Sequence, residues 1–371
     1  MSNFLKELNS FIKKTNKISN EEDSGNSVVV PTGLDVLDLI LGGGLRPKLC
    51  QFVGMPGCGK SSLVTQILGN AQKIWGEKFL YIYFDTENAM TVDRMKQLGV
   101  LYPEEPYNKN LTIEKVFEVI ESLCAFKEQN EELSDLPAFV IWDSIANTIP
   151  EKALSETNPA SILGLKALLF SNNLPRIVEL LDKNKITLIC INQLRDKIEI
   201  GPMRSESMHK FLPNKNIPGG YSLNFNTSLL LKLTVKENVK EDSTLGFVGN
   251  IVSIKAIKNR YFSPNVEMEL AFDFVRGFDN DITNFLFLKK EGILETLAGW
   301  IKLPGLNKKY RTREYLEKIK TDPELQEVVK NLLNGLFDSY KEKYGLKGNN
   351  LTTNFSNEEN YSEEDIDTPE E

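Results

Sequence analysis

The octet Gly54-Met55-Pro56-Gly57-Cys58-Gly59-Lys60-Ser61 constrains this chain more than any other feature. It has the form G-x-x-x-x-G-K-[ST], follows the apolar run Leu49–Val53 and opens a helical pattern from Lys60 to Trp75. That strand, loop and helix setting is what makes such an octet a phosphate-binding P-loop. Glycines let backbone N–H groups turn inward on a phosphate chain, Lys60 reaches the β and γ oxygens, and Ser61 offers a hydroxyl to Mg²⁺. The alternative, a Gly-rich turn with a chance Lys-Ser, has little weight given the full octet in this context.

A P-loop strand needs a sheet around it, and the rest of the chain supplies one. Apolar runs at Phe79–Phe84, Ala138–Trp142 and Ile186–Ile191 alternate with helical patterns at Thr91–Leu98, Ile113–Phe126 and Ile162–Asp182. This is the texture of an α/β fold with a mostly parallel central sheet covered on both faces. After Gly220 the runs Leu229–Val235, Asn250–Ile257 and Val266–Phe274 follow one another through short turns, which suggests an antiparallel extension of the same sheet. Phe4, Leu5, Leu8, Phe11 and Ile12 give an N-terminal helix one apolar stripe, and the polar stretch Ser19–Ser27 reads as a linker. That stripe docks either on a neighbouring subunit or on its own domain. Residues 279–347 read as a small, helix-rich C-terminal domain, with Thr321-Asp322-Pro323-Glu324 as a helix start, and residues 348–371 as a disordered acidic tail. The expected division is therefore 1–27, 28–278, 279–347 and 348–371.

Composition narrows the function classes. With 41% apolar and 26% charged residues, the chain looks soluble. It has neither a run of the ~20 apolar residues a membrane span needs nor a secretory signal at its start, so a cytoplasmic location without membrane partners is expected. Cys50, Cys58, Cys124 and Cys190 lie far apart and there is one histidine, His209, a poor basis for zinc or disulfides. Residues 357–371 hold eight acids and no Lys or Arg, which accounts for the whole formal net charge of −8. The remaining body is formally neutral and can carry a basic face.

Further residues extend the P-loop chemistry. Asp143 ends the apolar run Ala138–Trp142, where a carboxylate can hold the Mg²⁺ that Ser61 also binds. Asp85-Thr86-Glu87 follows another run, and Glu87 is the candidate for activating water, at the end of a strand expected to adjoin the P-loop strand. The competing reading makes both acids caps of the next helix. Gln193 closes a third run, where a satisfied strand-end amide competes with a sensor of the γ-phosphate. The long stretch Arg195–Pro218 interleaves Lys197, Arg204, His209, Lys210 and Lys215 with Met203, Met208 and Phe211. Such a loop suits a nucleic-acid backbone and its bases, or is plain surface.

In this order the motifs resemble a RecA-type homologous recombinase, from about Val28 to Phe337. Pro31-Thr32-Gly33-Leu34-Asp35-Val36-Leu37-Asp38 resembles the family's entry segment, Asp85-Thr86-Glu87-Asn88-Ala89 the block with its catalytic glutamate, and Val140-Ile141-Trp142-Asp143-Ser144 its Walker B strand. Ile191-Asn192-Gln193-Leu194-Arg195-Asp196-Lys197-Ile198 is similar to the segment where the glutamine senses the γ-phosphate and the second DNA-binding loop begins; Pro218-Gly219-Gly220 matches the loop's exit. Ile257-Lys258-Asn259-Arg260 resembles a basic motif that reaches the neighbouring subunit's nucleotide. Ala298-Gly299-Trp300 and Thr312–Leu333 resemble the small C-terminal domain, and the acidic end its tail.

The resemblance implies an ATP- and Mg²⁺-dependent, DNA-stimulated ATPase that forms a homo-oligomeric helical filament on single-stranded DNA and pairs it with a homologous duplex. Single-strand-binding and loader proteins are its implied partners. Glu87, Lys60, Gln193, Lys258 and Arg260 become catalytic candidates, Gly54 to Ser61 with Ser62 and Arg94 nucleotide contacts, and Ser61 with Asp143 metal ligands. Arg195, Lys197, Met203, Arg204, Lys210, Phe211, Gly219 and Gly220 become DNA contacts. Two departures stand out. Arg94 occupies the place of an aromatic that packs on adenine, so stacking there falls to a guanidinium plane or to another residue. Pro150–Ala160, at the first DNA-loop position, matches little and carries Glu151 and Glu156 against Lys152. The divergence suits a bacteriophage or mobile-element recombinase. A hexameric helicase and a non-catalytic recombination mediator are the rival readings.

Overall fold

The computed structural model describes residues 28–155, 159–196, 215–216 and 220–344. The expected N-terminal helix, most of the Arg195–Pro218 loop and the acidic tail lie outside the described residues.

The P-loop strand β1 (Leu49–Gly54) lies inside an eight-stranded sheet, where continuous burial explains its unbroken apolar run. On one side it pairs in parallel with β4 (Ile186–Gln193), which pairs in parallel with β3 (Ala138–Asp143), which pairs in parallel with β2 (Tyr81–Asp85) at the edge. The two-residue strands β5 (Arg195–Asp196) and β6 (Lys215–Asn216) pair with each other outside this sheet. On its other side β1 pairs with β7 (Leu229–Val239), followed by β8 (Gly249–Asn259), β9 (Glu267–Asp273) and β10 (Gly277–Asp279). This amends the expectation in one respect. The extension is antiparallel from β8 onward, but β7 runs parallel to β1, because the helix Gly220–Asn226 returns the chain to the start of the sheet before β7 begins.

Period-two alternation sorts the strand residues between two cores. Phe139 and Ile141 join Phe52, Ile189 and Ile191 in a cluster with Leu63, Val64 and Ile67 of the P-loop helix Lys60–Trp75. Ala138, Val140 and Trp142 join Leu188 and Cys190 in a second cluster, beneath the helices Ile113–Glu128 and Pro159–Lys183. Trp142 is fully buried, with its indole N–H donating to Thr148 Oγ1 at 2.7 Å, as a buried indole requires. All four cysteines are buried and unpaired core fillers.

The C-terminal segment is helix-rich, as expected, and adds a small sheet that the sequence did not announce. Before the helices Thr312–Lys318 and Pro323–Tyr344 stands a three-stranded antiparallel sheet: β11 (Glu295–Leu297), β12 (Trp300–Lys302) and β13 (Lys309–Arg311). Three residues per strand is too short for alternation to register. The hairpin signal is local: Ala298 and Gly299 both have positive φ, at 49° and 78°, as a two-residue turn matching strand twist demands. The helix Asn280–Lys290 is tied to the ATPase core through Asp35, whose Oδ2 accepts from Asn280 at 2.9 Å and Asn284 at 2.7 Å. Phe285, Tyr315 and Phe337 belong to the same apolar cluster as the P-loop helix.

Candidate nucleotide and catalytic site

In a parallel sheet the strand ends that point the same way form one crevice, and ligands bind there. Gly54 is in register with Gln193, and Asp85 with Asp143, so the chemical candidates of β1, β2, β3 and β4 line one edge.

The P-loop occupies this edge as its sequence demands. Gly57 and Gly59 have φ of 77° and 85°, a region open to glycine, and Gly59 stands immediately before the helix. A Cβ at Gly59 would also crowd the rings of Phe278 and Phe272 at 3.0 and 3.1 Å, so the dihedral favours glycine and the space leaves little room for more. Met55, Pro56 and Gly57 are exposed, whereas Cys58 and Lys60 are buried. The Lys60 ammonium donates to the carbonyls of Gly54 at 3.1 Å and Met55 at 2.9 Å. Ser61 Oγ donates to Asp143 Oδ2 at 2.5 Å, so the two expected metal ligands already touch. Burial pushes the Asp143 carboxyl up to about 6; the Ser61 hydroxyl and Lys60 oppose this, and Glu87 and Asp85 add to it.

Glu87 is placed differently from the expectation. β2 does not adjoin the P-loop strand; β4 and β3 intervene, because the chain crosses to the sheet edge and fills inward afterwards. Glu87 nevertheless reaches Gln193, which ends the strand that does adjoin β1: Gln193 Nε2 donates to Glu87 Oε1 at 2.8 Å. Ser144 Oγ, at 2.9 Å, and Asn147 Nδ2, at 3.0 Å, donate to the same oxygen. The two acids of the Asp-Thr-Glu block have separate work. Asp85 is buried and shapes the turn, accepting from the backbone N–H groups of Glu87 and Met90 at 3.0 and 2.8 Å. The following helix, Val92–Gln97, is capped by Thr91, so neither acid caps it. Glu87 itself is exposed toward the crevice edge.

Arg94 donates to the carbonyl of Val275 at 2.6 Å and of Phe274 at 3.2 Å, across the turn between β9 and β10. That turn is pinned to the P-loop helix, because Gln66 both donates to and accepts from the backbone of Phe278, at 3.0 and 2.6 Å. Exposed Phe274 and Val275 therefore flank Arg94 beside the P-loop helix. Sequence reading missed this pair, since a strand-end Phe-Val carries no signal of its own. Ser144 and Asn147 were also missed as Glu87 partners: the first lay inside a quoted motif without a role, and the second had no signal.

Lys258 and Arg260 lie elsewhere. Lys258 is in register with Leu230, and Leu230 with Gln51, three residues before Gly54, which puts it about 10 Å short of the P-loop along the strand direction. Its ammonium donates to the carbonyls of Asn224 and Phe225 at 3.0 and 2.9 Å, and Arg260 to Phe225 at 3.2 Å. Both thus satisfy the C-terminal end of the helix Gly220–Asn226. Partial burial, then the Arg260 charge, brings the Lys258 ammonium down to about 8. Of the expected DNA contacts, Arg195 lies in β5 and Gly220 begins that helix; Lys197, Met203, Arg204, Lys210, Phe211 and Gly219 lie outside the described residues.

A glycine-shaped loop on a buried lysine, a Ser-Asp pair at the next level and a mostly parallel sheet covered on both faces define a P-loop nucleotide-binding protein. A family model described as the RecA N-terminal domain matches residues 2–279, and the chain belongs to the RecA family. It is 27% identical to the mitochondrial DNA repair protein recA homolog of Dictyostelium discoideum, an alignment covering 99% of this chain and 79% of that one. It is 25% identical to protein RecA of Thermotoga maritima (86% and 83% covered) and 26% to protein RecA of Streptomyces avermitilis (86% and 77%). The chain is thus a RecA-type recombinase, of a family of DNA-dependent ATPases that use ATP and Mg²⁺. Among the described residues no helix is long and apolar enough to cross a membrane.

Proposed function

We propose that this chain hydrolyses ATP as a helical filament on single-stranded DNA and uses that filament to exchange the strand into a homologous duplex. The observation that carries the proposal is the 2.8 Å contact between Gln193 and Glu87. Gln193 opens the loop assigned to DNA, and Glu87 is assigned to hydrolysis, so a change in the loop acts directly on the carboxylate that must take a proton.

The residues present fit a Mg²⁺-nucleotide. Among the described residues the buried Lys60 ammonium bonds to the loop carbonyls of Gly54 and Met55, with the Cys58 sulfur 3.8 Å away; phosphate oxygens are its natural partners. Mg²⁺ in such sites is held by one or two protein oxygens plus phosphates, which the Ser61-Asp143 pair suits. When bound, the metal neutralises charge developing on the transferred phosphoryl group. Gly54 to Ser62 bind and orient the phosphates. Three donors hold Glu87 Oε1, so the proton-accepting role falls to Oε2. Phe274 and the Arg94 guanidinium offer an apolar face and a planar cation for the base. Lys258 stands about 10 Å short of its own subunit's P-loop, and it and Arg260 are turned to the carbonyls of Asn224 and Phe225, which supports their acting on a neighbour's triphosphate. The apolar stripe expected of residues 4–12, docked on the next subunit, would join such a filament.

Phosphate release with and without single-stranded DNA, measured beside electron microscopy of the same mixtures, tests the proposal. DNA-stimulated turnover on continuous helical filaments is expected. Closed rings would favour a helicase, and nucleotide binding without turnover a mediator.

A further inference from the structure

Lys166 lies on the helix Pro159–Lys183 and is 6% exposed, although lysine is almost never buried unless its charge is compensated. Its ammonium donates to three carbonyls of one short turn: Ile145, Ala146 at 3.3 Å and Thr148 at 2.9 Å. This turn directly follows Asp143 and contains two of the three donors to Glu87, Ser144 and Asn147. Its own backbone bonds are long, at 3.3 Å from Asn147 N to Ser144 O and 3.3 Å from Thr148 N to Ile145 O. A single 3₁₀ turn with such bonds is poorly fixed by itself. Thr86 holds its first residue, with Ser144 N–H donating to Thr86 Oγ1 at 3.0 Å, and the Lys166 ammonium ties the residues after it to a long helix.

We propose that Lys166 is a positioning residue for ATP hydrolysis: by holding the carbonyls of residues 145, 146 and 148, on either side of Asn147, it sets the Asn147 amide against Glu87. Asn147 acts through the Glu87 carboxylate it donates to, and Lys166 through the turn that carries Asn147. Charge-assisted bonds from one ammonium to three carbonyls fix the turn more firmly than neutral bonds can. Losing the charge leaves three buried or half-buried carbonyls to find other partners, and the turn shifts. A shift on the order of 1 Å in such a group costs about 100-fold in rate. The P-loop and Ser61 stand on β1 and the helix after it, and Asp143 is fixed in β3 by its pairing with β2 and β4, so nucleotide binding is preserved. The inference rests on Glu87 being the base.

The test uses the full chain with saturating single-stranded DNA, ATP and Mg²⁺, and compares Lys166→Met, Asn147→Ala, the double variant and Lys166→Arg, with Glu87→Gln as reference. Lys166→Met should lower kcat on the order of 100-fold with KM nearly unchanged, and Asn147→Ala on the order of tenfold. The double variant should be no slower than Lys166→Met, because Asn147 has already lost its place; Lys166→Arg should recover part of the rate. A double variant slowed by the product of the two losses, or a KM that worsens as much as kcat falls, overturns the proposal. Asn147 is exposed and its replacement leaves all three Lys166 bonds intact, so an unchanged kcat in Asn147→Ala overturns it even where Lys166→Met fails to fold. If Glu87→Gln is inactive while both single variants hydrolyse normally, this inference alone fails. If Glu87→Gln hydrolyses at the wild-type rate, the assignment of the base fails and this inference with it.

Discussion

Replacing Glu87 by glutamine separates charge from shape at the proposed catalytic centre. Glutamine keeps the length of the side chain and, at the position of Oε1, an acceptor for the donors of Ser144, Asn147 and Gln193. What it loses is the ability to take a proton from water. A positioned general base contributes about 10²–10⁴-fold, or roughly 2.7–5.4 kcal/mol of barrier at about 1.36 kcal/mol per decade. Nucleotide binding should not fall with it. Lys60 and Ser61 are held by the loop and by Asp143, and the Glu87 charge raises the Asp143 carboxyl, so its removal favours the ionised, metal-binding form. Phosphate release at saturating single-stranded DNA and equilibrium binding of a fluorescent ATP analogue give the two readings. The expected result is turnover reduced about 10²–10⁴-fold, affinity within a few-fold of wild type or slightly tighter, and long-lived filaments on DNA. Turnover within a few-fold of wild type refutes the assignment, and a parallel loss of affinity refutes the separation of roles.

Lys258→Ala should depress DNA-stimulated hydrolysis far more than nucleotide binding by isolated subunits, and mixing it with Glu87→Gln subunits should restore some activity at interfaces with one intact half from each; no recovery in any mixture, with each variant inactive alone, argues against a shared site. Deleting residues 357–371 removes the whole formal charge of −8 and should tighten duplex binding at low salt, an effect that fades as the Debye length falls from ~10 Å at 0.1 M to ~3 Å at 1 M; superimposable binding curves at low salt would leave the tail without a role in DNA access. Burial raises the Asp38 carboxyl from 3.8 to about 8; the folded chain then keeps a proton that the unfolded chain releases between these values, so stability falls as pH rises through that window. Asp38→Asn should flatten this slope in urea-unfolding midpoints, and an identical slope in the variant would show that Asp38 is not its source.

The elements that announced themselves in the sequence are those whose signal is local. The P-loop helix runs over Lys60–Trp75 as its periodicity indicates, and the Asp143 strand ends where its apolar run does. Strand order is not local. Glu87 was expected beside the P-loop strand and stands three strands away at the edge, since a run of alternating strands and helices does not say on which side each new strand is added. The same holds for β7, whose parallel pairing depends on where the helix Gly220–Asn226 delivers the chain. The short sheet before Thr312 escaped because three-residue strands carry too little alternation. At the site, Lys60, Ser61 and Asp143 were legible as residue types at known spacings. Asn147 and Lys166 were not, because an exposed asparagine and a helical lysine look like surface until the fold aims them at one carboxylate and one turn.

Strand exchange tests the central claim most directly. Single-stranded DNA is incubated with the protein, ATP and Mg²⁺, then mixed with a duplex whose complementary strand is labelled, in parallel with a heterologous duplex and a forked duplex. A RecA-type filament of this build should transfer the labelled strand only from the homologous duplex, only with ATP, and leave the fork largely intact. Unwinding of the fork without homologous transfer would contradict the account.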